Sequence, residues 1–213
     1  TPPLPFSLHS KHLLLPPQET QILKQPQTKS KLEQALFQFQ HEGVEWLVEH
    51  PRALLADDCG LGKTLQALAL VERLNVRHAL VVCPKTLVSE WFNQCDKWSD
   101  GDMLTPNDQG DRLDGLNLRG PHYVCVNYDL LANRRYWGEI QSVPWDIIIW
   151  DEAHRLKNPK AKRTEYAYLI QAPRVVFMSG TPLQNSPMDL YPLFRMINPK
   201  DYHNLYQWKN FFC

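Results

Sequence analysis

The sequence has no C-x-x-C pair. Its five cysteines, Cys59, Cys83, Cys95, Cys125 and Cys213, are scattered, which argues against a secreted disulfide scaffold and fits a reduced compartment. No Cys/His spacing resembles a zinc ligand set. Long apolar runs are missing too: Ala79 to Cys83 and Ile147 to Trp150 are far too short to cross a bilayer. The basic segment and apolar stretch of a signal peptide are absent from the N-terminus. No charge of one sign dominates, since 23 Lys and Arg balance 23 Asp and Glu. That balance argues against a wholly basic nucleic-acid coat protein but leaves room for a local basic patch. No internal repeat is visible. These absences lead us to expect a soluble intracellular domain with no membrane partner.

What is present is a globular composition, 43% hydrophobic and 22% charged over 213 residues, enough to bury a core without staples. The chain begins with Thr1 rather than Met, which suggests a trimmed chain or a fragment. Residues 1–30 hold Pro2, Pro3, Pro5, Pro16, Pro17 and Pro26 among Gln, Thr, Ser and Lys, and read as an extended arm or linker. From Lys31 to Cys213 the pattern alternates between helix and strand. Leu36, Val44, Leu47 and Val48 lie at near-helical spacing, stopped by Pro51. Five short apolar runs follow, at Ala53–Ala56, Ala79–Cys83, Tyr123–Val126, Asp146–Trp150 and Arg174–Met178. Each leads into a polar or glycine-containing turn, most often followed by an amphipathic segment. Runs apolar throughout predict strands covered on both faces, as in a parallel α/β sheet sandwiched by helices. Ligands in such sheets bind beyond the carboxyl ends of the strands, where every one of these turns would lie. Ser99 to Gly120, rich in Gly and Asp, reads as a solvated insertion.

Two of the turns carry chemistry. Gly60-Leu61-Gly62-Lys63-Thr64 follows the first strand. Glycines let backbone N–H groups approach phosphate oxygens, and the next helix adds its positive end. Lys63 would reach the β- and γ-phosphates and Thr64 would place its hydroxyl on Mg²⁺. The general phosphate-loop pattern wants Gly where Asp57 stands. Asp151-Glu152-Ala153-His154 closes the run Ile147 to Trp150. A nucleotide hydrolase needs one carboxylate at a strand end for the Mg²⁺ shell, which suits Asp151, and a group to orient water, which suits Glu152. Together these sites imply ATP and Mg²⁺. Arg155, Lys157, Lys160, Lys162 and Arg163 place five cations within nine residues, equally suited to DNA contact or to plain surface. Trp46, Trp91, Trp98 and Trp150 are assigned to packing.

From about Leu36 to Pro199 the residues resemble the N-terminal RecA-like lobe of a superfamily 2 helicase of the Swi/Snf type, a P-loop fold. Phe39 to Leu47 resembles the family's glutamine motif, in which Gln40 would read the adenine edge. Asp57, Asp58, Cys59, Gly60, Leu61, Gly62, Lys63 and Thr64 resemble motif I, where an acidic first residue is normal and Cys59 replaces the usual Met. Cys83 to Leu87, with Trp91 following, resembles motif Ia. Asn127-Tyr128 lies where motif Ib adds to the DNA track. Trp150 to Asn158 is similar to motif II, and Met178 to Ser186 to motif III.

The resemblance implies that Lys63, Asp151 and Glu152 are catalytic. It implies that His154, Ser179, Gly180 and Thr181 couple nucleotide state to DNA grip, and that Lys85, Thr86, Asn127 and Tyr128 contact double-stranded DNA. The second RecA-like lobe of the family, with its arginine fingers, is not in this sequence. An arginine finger is worth roughly 10³ to 10⁵ in rate, so the lobe alone is expected to hydrolyse ATP slowly at best. Joined to its second lobe it would be a DNA-dependent ATPase that translocates on duplex DNA and remodels protein–DNA or DNA structures. The alternative is a naturally truncated nucleotide-binding module that holds a protein partner without turnover; a small P-loop kinase would leave motif III without a role. The expected compartment is cytoplasmic for a bacterial or viral chain and nuclear for a eukaryotic one.

Overall fold

A computed structural model describes residues 30–105, 122–131 and 133–213. The proline-rich arm, 1–30, lies outside the described residues except for Ser30. There Ser30 caps the short helix α1 (Lys31–Ala35), its hydroxyl accepting from the Glu33 amide.

Six strands form one sheet: β1 (Arg52–Leu55), β2 (His78–Cys83), β3 (Asp102–Leu104), β4 (His122–Asn127), β5 (Ile147–Asp151) and β6 (Arg174–Met178). Every pairing is parallel, in the order β1-β6-β5-β2-β4-β3. The five apolar runs are thus strands of a helix-covered parallel sheet, as expected. The sixth strand, β3, falls within the stretch read as a solvated insertion. It is three residues long and pairs with β4, and Asp102-Met103-Leu104 is too short to form an apolar run. Residues 106–121 of that stretch lie outside the described residues.

Side chains of a strand alternate between faces, and the core divides accordingly. Ala79, Val81 and Cys83 of β2 and Ile147 and Ile149 of β5 face α2 (Gln38–Glu49), α3 (Lys63–Arg73) and α4 (Val88–Trp98) through Val44, Leu47, Leu68, Leu70, Trp91 and Cys95. Leu80 and Val82 with Ile148 and Trp150 face the other layer. That layer comprises α5 (Tyr128–Leu131), α6 (Arg134–Ser142), α7 (Lys162–Leu169) and α8 (Tyr191–Ile197), contributing Leu131, Ile140, Ala167 and Leu193. Both faces of the central strands are dry, which is why those runs are apolar at every position. Helix α9 (Leu205–Phe212) packs Trp208 against Tyr191, Phe194 and Tyr202.

Because all strands run the same way, their carboxyl ends share one edge. Read along the sheet order, that edge presents the phosphate loop after β1, Ser179-Gly180-Thr181 after β6, Asp151-Glu152 after β5, Lys85-Thr86 after β2 and Asn127-Tyr128 at the end of β4.

Candidate functional site

The loop from β1 to α3 turns on glycine. Gly62 caps α3 with φ +72°, and Gly60 has φ +85°, values in the left-handed region that L side chains rarely adopt. A side chain at Gly62 would also strike the Gln40 amide, 2.3 Å from the position of its Cβ. Lys63, first residue of α3, donates its ammonium to the carbonyls of Asp57 at 2.8 Å and Asp58 at 3.0 Å. The lysine is thereby folded back over the loop it would serve. Thr64 is half-buried in the first turn, and Asp58, Cys59, Gly60 and Leu61 are exposed.

Gln40 lies against the phosphate loop. It is 3% exposed, its Oε1 accepts from the Phe37 amide at 2.9 Å, and its Nε2 donates to the Leu61 carbonyl at 3.0 Å. Both ends of the amide are used within the chain. In this arrangement Gln40 braces the phosphate loop against α2.

Asp151 closes β5 and is largely buried. Burial pushes its carboxyl above the ordinary aspartate value, against the pull of the Trp91 indole, the Glu152 amide and the charge of Lys63. Trp91 Nε1 donates to Oδ2 at 2.8 Å and the Glu152 amide donates to Oδ1 at 2.9 Å. Each oxygen keeps a further lone pair. Among the described residues no cluster of three His, Cys, Asp or Glu side chains forms a metal site. The Thr64 hydroxyl and the Asp151 carboxylate are hard oxygen donors on this edge of the sheet, the donor type that suits magnesium held together with substrate phosphates.

Glu152 has φ +49°, a conformation that costs of order 1 kcal/mol or more for a non-glycine residue. The bend leaves its carboxylate partly exposed, with Oε2 3.1 Å from His154 Nδ1. The same His154 nitrogen is 3.1 Å from Ser179 Oγ, which in turn accepts from the Thr181 amide at 3.2 Å. Gly180 packs on the phosphate loop: a Cβ there would lie 2.5 Å from Cys59 Sγ. The residues expected to couple nucleotide state to DNA grip thus touch Glu152 and the phosphate loop, the nucleotide side of that link. Lys157 adds a further tie, donating to Gln184 Oε1 at 2.8 Å.

The residues expected to meet DNA divide. Lys85 and Thr86 are exposed on a 3₁₀ turn leading into α4. Asn127 caps α5, its Oδ1 accepting from the Asp129 and Leu130 amides, each at 3.0 Å. Tyr128 contradicts the expectation. It is 2% exposed and its hydroxyl donates to the Asp151 carbonyl at 2.8 Å, so it supports the carboxylate strand from inside and has no surface for DNA. Sequence reasoning also missed Gln66, fully buried, which donates to Asp57 Oδ2 at 2.8 Å. The polar role of Trp91 went unseen because a packing tryptophan and a donating one look alike in sequence.

A family model for the SNF2-related domain matches residues 39–213. The chain belongs to this family. Among SNF2-family relatives, it is 33% identical over 190 residues to the TATA-binding protein-associated factor BTAF1 of Arabidopsis thaliana, covering 80% of this chain and 9% of that one. It is 32% identical over 161 residues to the DNA repair and recombination protein RAD54B of Gallus gallus, covering 69% of this chain and 17% of that one. A solved structure of the Sulfolobus solfataricus SWI2/SNF2 ATPase core in complex with double-stranded DNA superposes with a TM-score of 0.75 at 25% identity. That match covers 87% of this chain and 40% of the other. The chain thus spans less than a fifth of the length of these two curated relatives. The expected RecA-like fold of the SNF2 ATPase core is the fold observed.

Proposed function

We propose that this SNF2-family chain is the ATP-binding lobe of a motor that hydrolyses ATP with magnesium and moves on double-stranded DNA together with a second RecA-like lobe. One observation carries the reading: Lys63 lies over the phosphate loop at one position of the sheet edge, and Asp151 closes β5 two strands away on the same edge, with Glu152 beside it. The SWI2/SNF2 core with duplex DNA, similar in fold, supports DNA as the second ligand.

On nucleotide entry Lys63 exchanges two backbone carbonyls for phosphate oxygens, so its charge is already in place and only its partners change. The amides of the loop and the start of α3 receive the remaining phosphate charge. Magnesium, when held by Thr64 and Asp151, would neutralise charge developing on the phosphates. Glu152, bent out of the strand and beside His154, orients the attacking water. Ser179 shares the His154 contact, and Gly180 touches Cys59, so a change at the phosphates is felt in the loop after β6. Lys85 and Thr86 offer an exposed contact for the DNA backbone, giving sequence-independent, salt-sensitive binding. Protein partners of the complete motor are part of this proposal, as is a compartment inside the cell: the nucleus in a eukaryote, the cytoplasm in a bacterium or virus. All five cysteines are free, in keeping with a reducing environment.

The test is nucleotide binding by this chain, followed by hydrolysis with and without duplex DNA at low salt, against Lys63→Ala. Binding that disappears in the variant is expected, with slow turnover in the lobe alone. A parent chain that binds no nucleotide overturns the reading.

A further inference from the structure

The sheet order sets β5, which ends in Asp151, between β6 and β2. Asp151 therefore stands at a border. On one side lie the phosphate loop and Ser179 to Thr181; on the other, β2 and β4 lead into Lys85-Thr86 and Asn127-Tyr128. Two buried hydrogen bonds cross that border, Trp91 Nε1 to Asp151 Oδ2 and the Tyr128 hydroxyl to the Asp151 carbonyl, each at 2.8 Å. Both donors come from segments that begin on the second side. Side chain and main chain of Asp151 are thus each held from that side.

Trp91 is 1% exposed and its ring fills the core between α4 and the sheet. A buried indole N–H must find an acceptor, and Trp145 and Trp208 give theirs to backbone carbonyls. Trp91 gives its own to a carboxylate, and a bond to a charged acceptor in a dry site is stronger and more directional than a neutral one. With Oδ2 fixed by Trp91 and Oδ1 by the Glu152 amide, the plane of the carboxylate is set and its remaining lone pairs have defined directions. The Lys85–Leu87 turn runs into α4 at Val88 without a break. Lys85 and Thr86 are exposed at its start, and Trp91 lies within the first turn of α4. The chain between them is helical throughout.

We propose that Trp91 is a positioning residue that ties the Asp151 carboxylate to the segment bearing Lys85 and Thr86, so that a phosphodiester backbone held there and a magnesium nucleotide at Asp151 alter each other's affinity. This rests on the function proposed above. Linkage makes the effect reciprocal: whatever orientation of Asp151 one ligand favours, the other senses to the same extent.

Trp91→Phe keeps an aromatic ring in the core and removes the N–H. The magnesium affinity of the ADP-bound chain is titrated, with and without a mixed-sequence DNA duplex, for the parent, Trp91→Phe and Trp98→Phe. Trp98 is a half-buried tryptophan of the same helix stacked under Lys97, and serves as control. In parallel, the indole N–H resonances of the ¹⁵N-labelled parent are followed, that of Trp91 being the one missing from Trp91→Phe. Removing a group that orients a metal-binding carboxylate costs about 10-fold in metal affinity or more. We expect that loss in Trp91→Phe, with ADP affinity in a chelator unchanged and with duplex no longer shifting magnesium affinity. Trp98→Phe should match the parent. In the parent, the Trp91 indole resonance should move on adding magnesium and ADP, and again on adding duplex.

Unchanged magnesium affinity in a folded Trp91→Phe overturns the proposal, and so does a Trp91 resonance indifferent to magnesium and ADP. If Trp91→Phe does not fold, the Trp91 indole resonance of the parent, then assigned through its connectivities to neighbouring residues, decides alone. A parent that binds no nucleotide overturns the function and this inference together, whereas a binding parent matched by Trp91→Phe overturns only the inference.

Discussion

Gln66 reaches back from the first turn of α3 to the first residue of the phosphate loop: its Nε2 donates to Asp57 Oδ2 at 2.8 Å. The Asp57 carbonyl meanwhile accepts from Lys63 at 2.8 Å. Side chain and main chain of Asp57 are thus both held by the helix that the loop precedes. A loop shaped before its ligand arrives loses less freedom on binding. It also gives a reason why an acidic residue serves where a phosphate loop commonly begins with glycine: the carboxylate has a donor of its own within the chain.

Gln66→Leu keeps the volume and removes the donor. Losing a buried hydrogen bond to a charged group costs about 1.5–3 kcal/mol, so the melting temperature should fall by several degrees and nucleotide should bind about 10-fold more weakly. Thermal melts and a nucleotide titration check both. Gln66→Glu, which sets two carboxylates together, should be worse than Gln66→Leu.

Gly180→Ala puts a methyl group 2.5 Å from Cys59 Sγ and 3.1 Å from the Cys59 amide nitrogen. Overpacking of this kind costs about 1–3 kcal/mol and should distort the phosphate loop, weakening nucleotide binding. Cys59→Ala alone should be mild. Combined with Gly180→Ala it should recover part of the loss, because the shorter contact is with the sulfur. The double-mutant cycle is the measurement, and strict additivity would refute the contact.

Arg174, at the start of β6, donates to the carbonyls of Leu47 at 3.2 Å and Val48 at 2.9 Å in the last turn of α2. A cation on free helix carbonyls satisfies them and complements the dipole. Arg174→Ala should destabilise the chain by about 1–2 kcal/mol, read as a lower denaturation midpoint. Arg174→Lys, which cannot bond both carbonyls in the same fork, should recover only part of it.

Ligand should stabilise the fold in proportion to its binding. At a hundred times its dissociation constant, magnesium nucleotide should add about 2.7 kcal/mol, raising the melting temperature measurably. Lys63→Ala should show no such rise. A rise in Lys63→Ala equal to that of the parent would place the ligand elsewhere.

Strands were readable in this sequence because a parallel sheet covered on both faces needs apolar residues at every position. Ile147 to Trp150 and Ala79 to Cys83 could be little else. The phosphate loop and Asp151-Glu152 were readable for a chemical reason: few residue types bring backbone amides, a lysine and a strand-end carboxylate to one substrate. A helix end was legible near Pro51 and a helix start near Gly62, where backbone restrictions are strongest. By contrast β3 was missed, since three residues at a sheet edge have neither length nor an apolar pattern to mark them.

Local sequence therefore determined which residues are chemical and that they lie at strand ends. It did not determine which neighbours those residues keep. That β5 lies between β6 and β2 is a property of crossover connections among distant segments, and no spacing along the chain encodes it. Only that order turned Trp91 and Tyr128 inward onto Asp151 and withdrew Tyr128 from the surface. Partners of this kind are chosen by packing, because a buried donor must find an acceptor wherever the assembled layers leave one.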